Sequence, residues 1–401
     1  MRNQMLQLCK KCSLAVLVLS LVTVTTVYAG GFEAGNFNGE AVVNSARIAA
    51  SNPAGLAVLE HSEIIMTGVA VITNVEFKTD GNNTVSGSQG GDQGDTIGGG
   101  GFSLAHKINP NLGLGLALTS PTGGMLDPDD DWVGRYLVTK LDFVVVALTG
   151  SIGYKVNDWL ALGAGLSGHY ADFEQKIAIA TGGADGVAEI EADDTAVGFT
   201  LGALLMPMEG TKIGIAYRSE VEYQLGGRLN TSTGLDASLG TDFPLPQRVL
   251  VSLSQKVGEA TVIIADVGWT DFSQFDMSTI DLESVGVSTS IPRNWDDTWR
   301  FGLAIQHRIT PQWGINGGIT YDTSPMDDED RLPDLPLDRQ ISLSTGLAYH
   351  MSQNLTISLG YNYVDSGDAK IDFTGPTGTR LSGEYEDNNM HLVALSASYK
   401  Y

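Results

Sequence analysis

The chain has 401 residues, and its 47 acidic and 23 basic side chains give a net charge of −24. This charge excludes a nucleic-acid-binding protein, which needs a basic surface to meet the phosphate backbone. Both cysteines, Cys9 and Cys12, lie near the N-terminus, so the rest of the chain offers neither a disulfide nor a cysteine metal site.

Residues 1–29 have the pattern of a cleavable export signal. Arg2, Lys10 and Lys11 precede an apolar run at 14–24, and small or tolerated residues end at Ala29. A membrane-anchor helix is the alternative, but the run is shorter than the roughly 20 residues that a span needs. Cleavage after Ala29 would leave 20 basic against 47 acidic residues, a net charge of −27.

Residues 30–60 separate this signal from the first strand-like stretch and are too many for a simple lead-in. The stretch 44–50 could form a short helix before Asn52 and Pro53. A wide barrel whose lumen stayed open would leak. We therefore predict that residues 30–60 fold as a small plug, or hatch, inside a barrel formed by residues 61–401.

From residue 61 onward, apolar residues recur at every second position. Leu355, Ile357 and Leu359, for example, alternate with Thr356 and Ser358. The second face carries mostly small residues, whereas a soluble sheet would place Lys and Glu there. Small residues suit a crowded barrel interior, and the apolar face suits lipid. No later stretch reaches the roughly 18 apolar residues of a membrane helix.

We count about fourteen such stretches, an even number of the kind that bacterial barrels have. Their rough spans are 61–78, 98–107, 112–121, 141–155, 159–176, 193–207, 211–226, 246–256, 260–272, 296–308, 313–323, 338–350, 355–365 and 391–401. Short turns rich in Asn, Pro and Gly alternate with long loops at 79–97, 122–140, 177–192, 227–245, 273–295, 324–337 and 366–390. The sequence predicts an all-β transmembrane antiparallel barrel of the outer membrane, with both termini and the short turns in the periplasm.

Several charged residues are predicted to face the lumen, where a charge needs a partner or a ligand. Alternation places Tyr217, Val221 and Tyr223 on the outer face. It places three candidate head-group or lumen residues on the inner face: Arg218, Arg300 and Asp322. An arginine there could hold a carboxylate through paired N–H donors, or these residues could simply pair with one another.

Other motifs carry less weight. Residues 163–168 spell a dinucleotide-binding glycine pattern, but they lie inside a strand with no helix after it. Ser167 and His169 share a strand face, as a hydrolase pair would, but lack a third member. Acidic loops at 127–131 and 327–330 suit a solvated rim; calcium binding is the alternative, without a calcium-loop spacing. We expect no cofactor, no metal and no enzymatic activity.

Short motifs are spread along the chain. They are Asn52-Pro53-Ala54, the loop Trp132-Val-Gly-Arg135-Tyr136 and Tyr217-Arg218-Ser219, followed by the stretches 269–275, 295–300 and 321–325 and by Asp338-Arg339. In their order and spacing these motifs resemble those of the FadL-type outer-membrane transporters. The resemblance covers nearly all of the chain after the signal.

The resemblance implies a hatch motif at Asn52, Pro53 and Ala54, and loop residues Trp132 and Arg135 near the entrance. It also implies passive uptake of hydrophobic compounds through an outer loop groove, a lumen pocket and hatch movement. The substrate would then leave sideways through a break in the third strand, for which the candidates are Pro121, Gly123 and Gly124.

We therefore expect a channel for long-chain fatty acids. Uptake of monoaromatic hydrocarbons by the same route is the alternative, and an outer-membrane hydrolase or a structural surface protein is the alternative from another class. The expected partners are the hydrophobic solute, outer-membrane lipid and lipopolysaccharide, and the barrel assembly machinery, which recognises a C-terminal aromatic such as Tyr401. We expect a monomer that binds no nucleic acid.

Overall fold

The computed structural model describes residues 39–275, 277–282, 287–375 and 378–401. The predicted signal peptide, and residues 30–38 of the predicted plug, lie outside these ranges. The elements are α1 Ile48–Ser51, a 3-10 helix Pro53–Val58, β1 Glu63–Thr79, β2 Thr96–Asn109, β3 Leu112–Thr119, β4 Gly123–Leu126, β5 Lys140–Lys155, β6 Leu160–Ile179, β7 Gly186–Met208, β8 Thr211–Arg218, β9 Val221–Thr231, β10 Asp236–Leu245, β11 Arg248–Val257, β12 Thr261–Thr270, a 3-10 turn Phe272–Gln274, β13 Met277–Leu282, β14 Val287–Pro292, β15 Thr298–Arg308, β16 Trp313–Asp322, β17 Gln340–His350, β18 Leu355–Asp365, β19 Ile371–Thr374 and β20 Arg380–Lys400.

These segments form one closed antiparallel wall. Each wall strand pairs with its neighbours in the chain, and β1 closes the barrel by pairing with β20. Several wall strands are in two pieces, such as β3 with β4 and β8 with β9, so the wall has fourteen strands. The predicted fourteen-stranded barrel is confirmed. Among the described residues, no helix is long and apolar enough to cross a membrane.

The outer face of the wall is apolar and much of its inner face is polar, whereas a soluble sheet protein turns a polar face to water. Large apolar side chains such as Leu166, Val197 and Leu395 are exposed on the outer face, at 63%, 67% and 57% of their area. Small polar side chains such as Ser252 and Ser342 are buried on the inner face. This is the pattern of strands that meet lipid on one side and a filled lumen on the other.

Several predicted loops are strand in the structure. The loop predicted at 227–245 is the β9–β10 hairpin, and most of 177–192 belongs to β6 and β7. Parts of 273–295 form the β13–β14 hairpin. The prediction missed them because outward positions there, such as Glu189 and Glu191 on β7, are polar, so the apolar period stops although the strand continues.

The outward assignment of Val221 and Tyr223 was wrong. Both side chains are buried, whereas Glu222 between them is exposed. The register against β7 shifts by one residue between β8 and β9, since Thr200 pairs with Arg218 but Asp193 pairs with Gly226. A bulge of one residue turns every following side chain to the other face.

The third wall strand is interrupted rather than ended near Pro121. β3 stops at Thr119 and β4 begins at Gly123, so Pro121 lies in the interruption and Gly123 and Gly124 begin the second piece of the strand. β2 pairs with β3 only up to Phe102 opposite Leu118, and β4 pairs with β5. Within the described pairings, residues 96–101 of β2 and β4 are therefore not joined, which leaves a gap in the wall (the β2–β4 gap).

Candidate functional site

The N-terminal segment, residues 39–60, packs against the inner face of the wall at its short-turn end. α1 contacts β3 and β5, and the 3-10 helix contacts β3, β5, β6 and β7. Asn52 is fully buried; its Nδ2 donates to Ala41 O at 2.8 Å and to Ala203 O at 3.1 Å, and its Oδ1 accepts from Ala54 N at 3.3 Å. One side chain thus ties the segment to itself and to the wall.

Glycines on the inner face let this segment approach the wall backbone. A Cβ on Gly163 would lie 2.3 Å from Ala54 N, and one on Gly202 would lie 1.9 Å from Asn52 Oδ1. The predicted hatch residues Asn52, Pro53 and Ala54 therefore contact the wall backbone directly, and any wall side chain larger than that of glycine would prevent this contact. Pro53 begins the 3-10 helix, where its missing N–H costs no hydrogen bond.

Above this segment lie two polar cavities that contain the predicted lumen residues. Arg300, Asp322 and Arg248 line one of about 520 Å³, and Arg218 and Glu40 line the other, of about 610 Å³. Arg300 Nε lies 3.9 Å from Asp322, its register partner across β15 and β16. The structure thus brings Arg300 and Asp322 together and places Arg218 in the neighbouring cavity.

A larger cavity, nearer the long-loop end, is lined mainly by apolar side chains. It has a volume of about 800 Å³ including its mouth. Its ring contacts run from Phe143 to Phe243 at 4.7 Å, on to Phe275 at 5.1 Å and to Trp295 at 4.8 Å. We call it the apolar cavity. Its shape and lining suit the body of a hydrophobic solute.

One buried ion pair stands at the edge of the apolar cavity. Arg293 donates from Nη1 and Nη2 to the two carboxylate oxygens of Asp334, at 2.9 and 2.6 Å. Both side chains are about 14% exposed or less. Arg293 could not be singled out from the sequence, because it lies between two strands, where a period of two gives no information about side-chain direction.

A second apolar cavity of about 580 Å³ continues from the first. Leu141, Asp334 and Leu335 line both cavities. The second one also contacts Ile97 of β2 and Gly124 of β4. An apolar surface thus extends from beneath the outer loops to the two strands that border the β2–β4 gap.

The predicted loop residues Trp132 and Arg135 hold loops together and do not line either apolar cavity. Trp132 is fully buried, packs edge-on against Phe77 and donates from Nε1 to Val138 O at 2.7 Å. Arg135 donates to Asp185 at 2.8 Å and to Ser86 O at 2.9 Å. These contacts join the loop 127–139 to both neighbouring loops.

Acidic residues of the 327–330 loop have similar structural contacts. Arg331 is almost fully buried and pairs with Asp328 at 2.6 Å and Asp338 at 3.7 Å. Asp330 accepts from Asn294 at 2.7 Å. In the part of the chain that is described, no three His, Cys, Asp or Glu side chains are grouped so as to hold a metal ion.

Ser167 and His169 belong to a buried hydrogen-bond chain. Ser167 Oγ lies 2.8 Å from His169 Nε2, and His169 Nδ1 lies 2.9 Å from the hydroxyl of Tyr223. Tyr223 is the third residue of this hydrogen-bond chain. The sequence did not predict it, because the β8–β9 bulge turns its side chain inward. A phenol is neutral, so it cannot balance an imidazolium as the carboxylate of a catalytic triad does.

Residues 22–401 match the family described as outer membrane protein transport protein (OMPP1/FadL/TodX). An outer membrane protein of Neisseria meningitidis serogroup B is 25% identical over 94% of this chain and 96% of its own. The long-chain fatty acid transport protein of Escherichia coli O6:H1 is 22% identical over 73% of this chain and 75% of its own. The crystal structure of a Pseudomonas aeruginosa FadL homologue superposes with a TM-score of 0.85 at 21% identity, covering 94% of this chain and 99% of that one. The P. putida toluene transporter TodX reaches 0.71 at 13% identity, covering 94% and 99%.

Proposed function

This chain belongs to the OMPP1/FadL/TodX family of outer membrane transport proteins, and on that premise we propose that it carries long-chain fatty acids inward by passive diffusion. The protein is an outer-membrane β-barrel, and its family transports hydrophobic compounds. The observation that carries the proposal is the apolar cavity with the Arg293–Asp334 pair at its edge.

An amphiphile fits this cavity better than a plain hydrocarbon does. Aromatic and aliphatic side chains would bury the acyl chain, at about 25 cal/mol per Å² of apolar surface removed from water. The Arg293 guanidinium already holds one carboxylate through two parallel N–H donors, so it has the geometry to hold a fatty acid head group instead. A monoaromatic hydrocarbon would use the same walls but not the arginine.

The inward route would follow the second apolar cavity and leave through the β2–β4 gap, close to Pro121, Gly123 and Gly124. The N-terminal segment, with its Asn52, Pro53 and Ala54 motif, acts as the hatch that closes the short-turn end. Trp132 and Arg135 hold the outer loops around the entrance. A group of charged side chains beneath the apolar cavities would bind the head group on its way inward; it consists of Arg218, Arg300 and Asp322.

The chain works as a monomer whose short turns and termini face the periplasm. Tyr401 serves as the aromatic end that the barrel assembly machinery recognises. Lipopolysaccharide meets the outer rim, where Lys140 and Lys176 alternate with acidic residues such as Glu174 on the outward faces of β5 and β6.

Uptake of laurate and of toluene by cells that express only this family member tests the proposal. The substitutions Arg218→Ala, Arg300→Ala and Arg293→Ala remove cations that face the lumen. Each should lower laurate uptake about tenfold or more, the value of one charge-assisted hydrogen bond, and leave toluene uptake unchanged. Arg228→Ala is the matched control, because that arginine pairs with Asp236 in an exposed hairpin. Equal loss of both solutes, or of neither, would refute the fatty-acid assignment and favour the hydrocarbon.

A further inference from the structure

Glu40 lies in a tight turn at the start of the N-terminal segment. The turn closes where Val42 N donates to Gly39 O at 2.9 Å, with Gly39 at a φ of 80°. Glu40 Oε2 lies 3.3 Å from Arg248 Nη1. Burial opposes ionisation of this carboxyl, but the charges of Arg248, Arg300 and Arg218 outweigh that effect and lower its pKa.

The three arginines belong to the two polar cavities that a solute would reach from the apolar route. Glu40 and Arg218 line one cavity, and Arg248 and Arg300 line the other. Leu337 lines both the second apolar cavity and the cavity of Arg248 and Arg300. A substrate head group that moves along this route therefore meets the same arginine side chains that already attract the Glu40 carboxylate.

We infer that Glu40 is a built-in surrogate for the substrate carboxylate, and that a carboxylate-headed amphiphile displaces it from the arginines and so releases the turn 39–42. The inference rests on the proposed function, because it takes the solute to be a carboxylate. It adds that the solute's charge, and not only its apolar bulk, unlocks the N-terminal segment.

Exchange of one carboxylate for another is physically favourable here. Removing Glu40 alone would take one charged partner from Arg248, whose guanidinium is buried, and breaking a buried ion pair at one side is destabilising. A fatty acid carboxylate supplies the same charge and oxygens, so the number of buried charges stays the same. A neutral hydrocarbon or alcohol supplies no charge and cannot make the exchange.

The other polar contacts of the turn involve uncharged groups on the segment's side. Gly39 N donates to Asp266 Oδ2 at 2.7 Å and Ala41 N to Ser252 Oγ at 3.3 Å. Ala41 O accepts from Asn52 Nδ2 at 2.8 Å, and Glu40 O accepts from Ser51 Oγ at 2.7 Å. Glu40 is the one charged residue among the four of the turn. Loss of its ion pair with Arg248 would thus remove the contact of the turn that depends on a charge of the segment itself.

The test uses the exported protein in phospholipid nanodiscs, with a Val42→Cys probe as its only thiol, because both native cysteines, Cys9 and Cys12, lie in the predicted signal peptide. Val42 is buried beside Glu40, so its reaction rate with a thiol reagent reports release of the turn. Laurate should speed the reaction about tenfold or more, whereas dodecanol, of equal chain length, should not. Glu40→Gln should react fast without ligand and gain nothing from laurate. Glu60→Gln, an exposed acid of the same segment, should behave like the parent.

Calorimetric titration of laurate separates the possible failures. Laurate that binds without speeding the reaction of the probe would overturn this inference alone, as would a Glu40→Gln variant as protected as the parent. Laurate that does not bind at all would refute the proposed function and this inference with it. Heat-dependent gel mobility verifies that each variant is folded, and the comparison of laurate with dodecanol on the parent needs no change at Glu40.

Discussion

Asn52→Ala should release the N-terminal segment while the barrel stays folded. The Asn52 side chain is fully buried and makes three hydrogen bonds, to Ala41, Ala203 and Ala54. Alanine removes all three and leaves two buried carbonyl groups that have lost a donor. The wall strands keep their backbone pairing, because no wall residue other than Ala203 contributes to this group of bonds.

The size of the effect follows from the number of bonds lost. At about 1 kcal/mol net for each hydrogen bond, the loss is about 3 kcal/mol, so the released form should be roughly 100-fold more populated. Amide hydrogen exchange of peptides within residues 39–60, followed by mass spectrometry, measures this population directly. Exchange there should quicken by about that factor, whereas exchange in β20 should not change.

Asn44→Ala is the matched control, because Asn44 belongs to the same segment but is exposed, and among the described residues its side chain has one long bond, accepted from Lys212 at 3.4 Å. Its exchange should stay like that of the wild type. If Asn52→Ala exchanged no faster than Asn44→Ala, the claim that this asparagine ties the segment to the wall would be refuted.

Three further predictions follow from the same contacts. Gly163→Ala should displace the 3-10 helix and raise channel conductance in planar bilayers, whereas Gly168→Ala, whose Cβ would meet no atom within 4 Å, should not; equal conductance of the two variants would contradict the close approach seen at Ala54. The lowered pKa of Glu40, set by Arg248, Arg300 and Arg218 with Asp266 nearby, means that its ion pair holds above the ordinary value of 4.5 and weakens as the pH falls below it. In planar bilayers the channel should therefore open more often only below about pH 4.5, and the Glu40→Gln variant should lack this pH dependence. A Ser167→Ala, His169→Ala double variant should keep its laurate uptake; loss of uptake together with loss of any esterase activity would instead favour the hydrolase.

The barrel could be predicted from the sequence because alternate residues face either lipid or the lumen, and these two environments favour different side chains. Lipid selects large apolar side chains such as Leu395, and the filled lumen selects small ones such as Ser252. The prediction failed where that contrast fades. Beyond the apolar belt the outward positions of β7, such as Glu189 and Glu191, are polar. At the β8–β9 bulge one extra residue turned Val221 and Tyr223 inward.

The candidate site was only partly accessible to sequence reasoning. Alternation predicted that Arg218 and Arg300 face the lumen, and each lines a polar cavity of the structure; the family motif singled out Asn52. Arg293, Asp334 and Glu40 gave no signal, because each lies in an irregular segment whose direction depends on tertiary packing. From the sequence alone, Glu40 looks like an ordinary solvent-exposed acid of a turn. Its role depends on arginines that the fold brings close from distant strands.

Photo-crosslinking with a diazirine-bearing fatty acid tests the central claim, that a hydrophobic solute passes through the barrel interior, most directly. Cells expressing the protein would be labelled during uptake, and the modified peptides identified by mass spectrometry. The account predicts label on the lining of the apolar cavity, at peptides that contain Phe143, Phe243 and Phe275. Label confined to lipid-facing positions such as Leu166 and Val197 would contradict it.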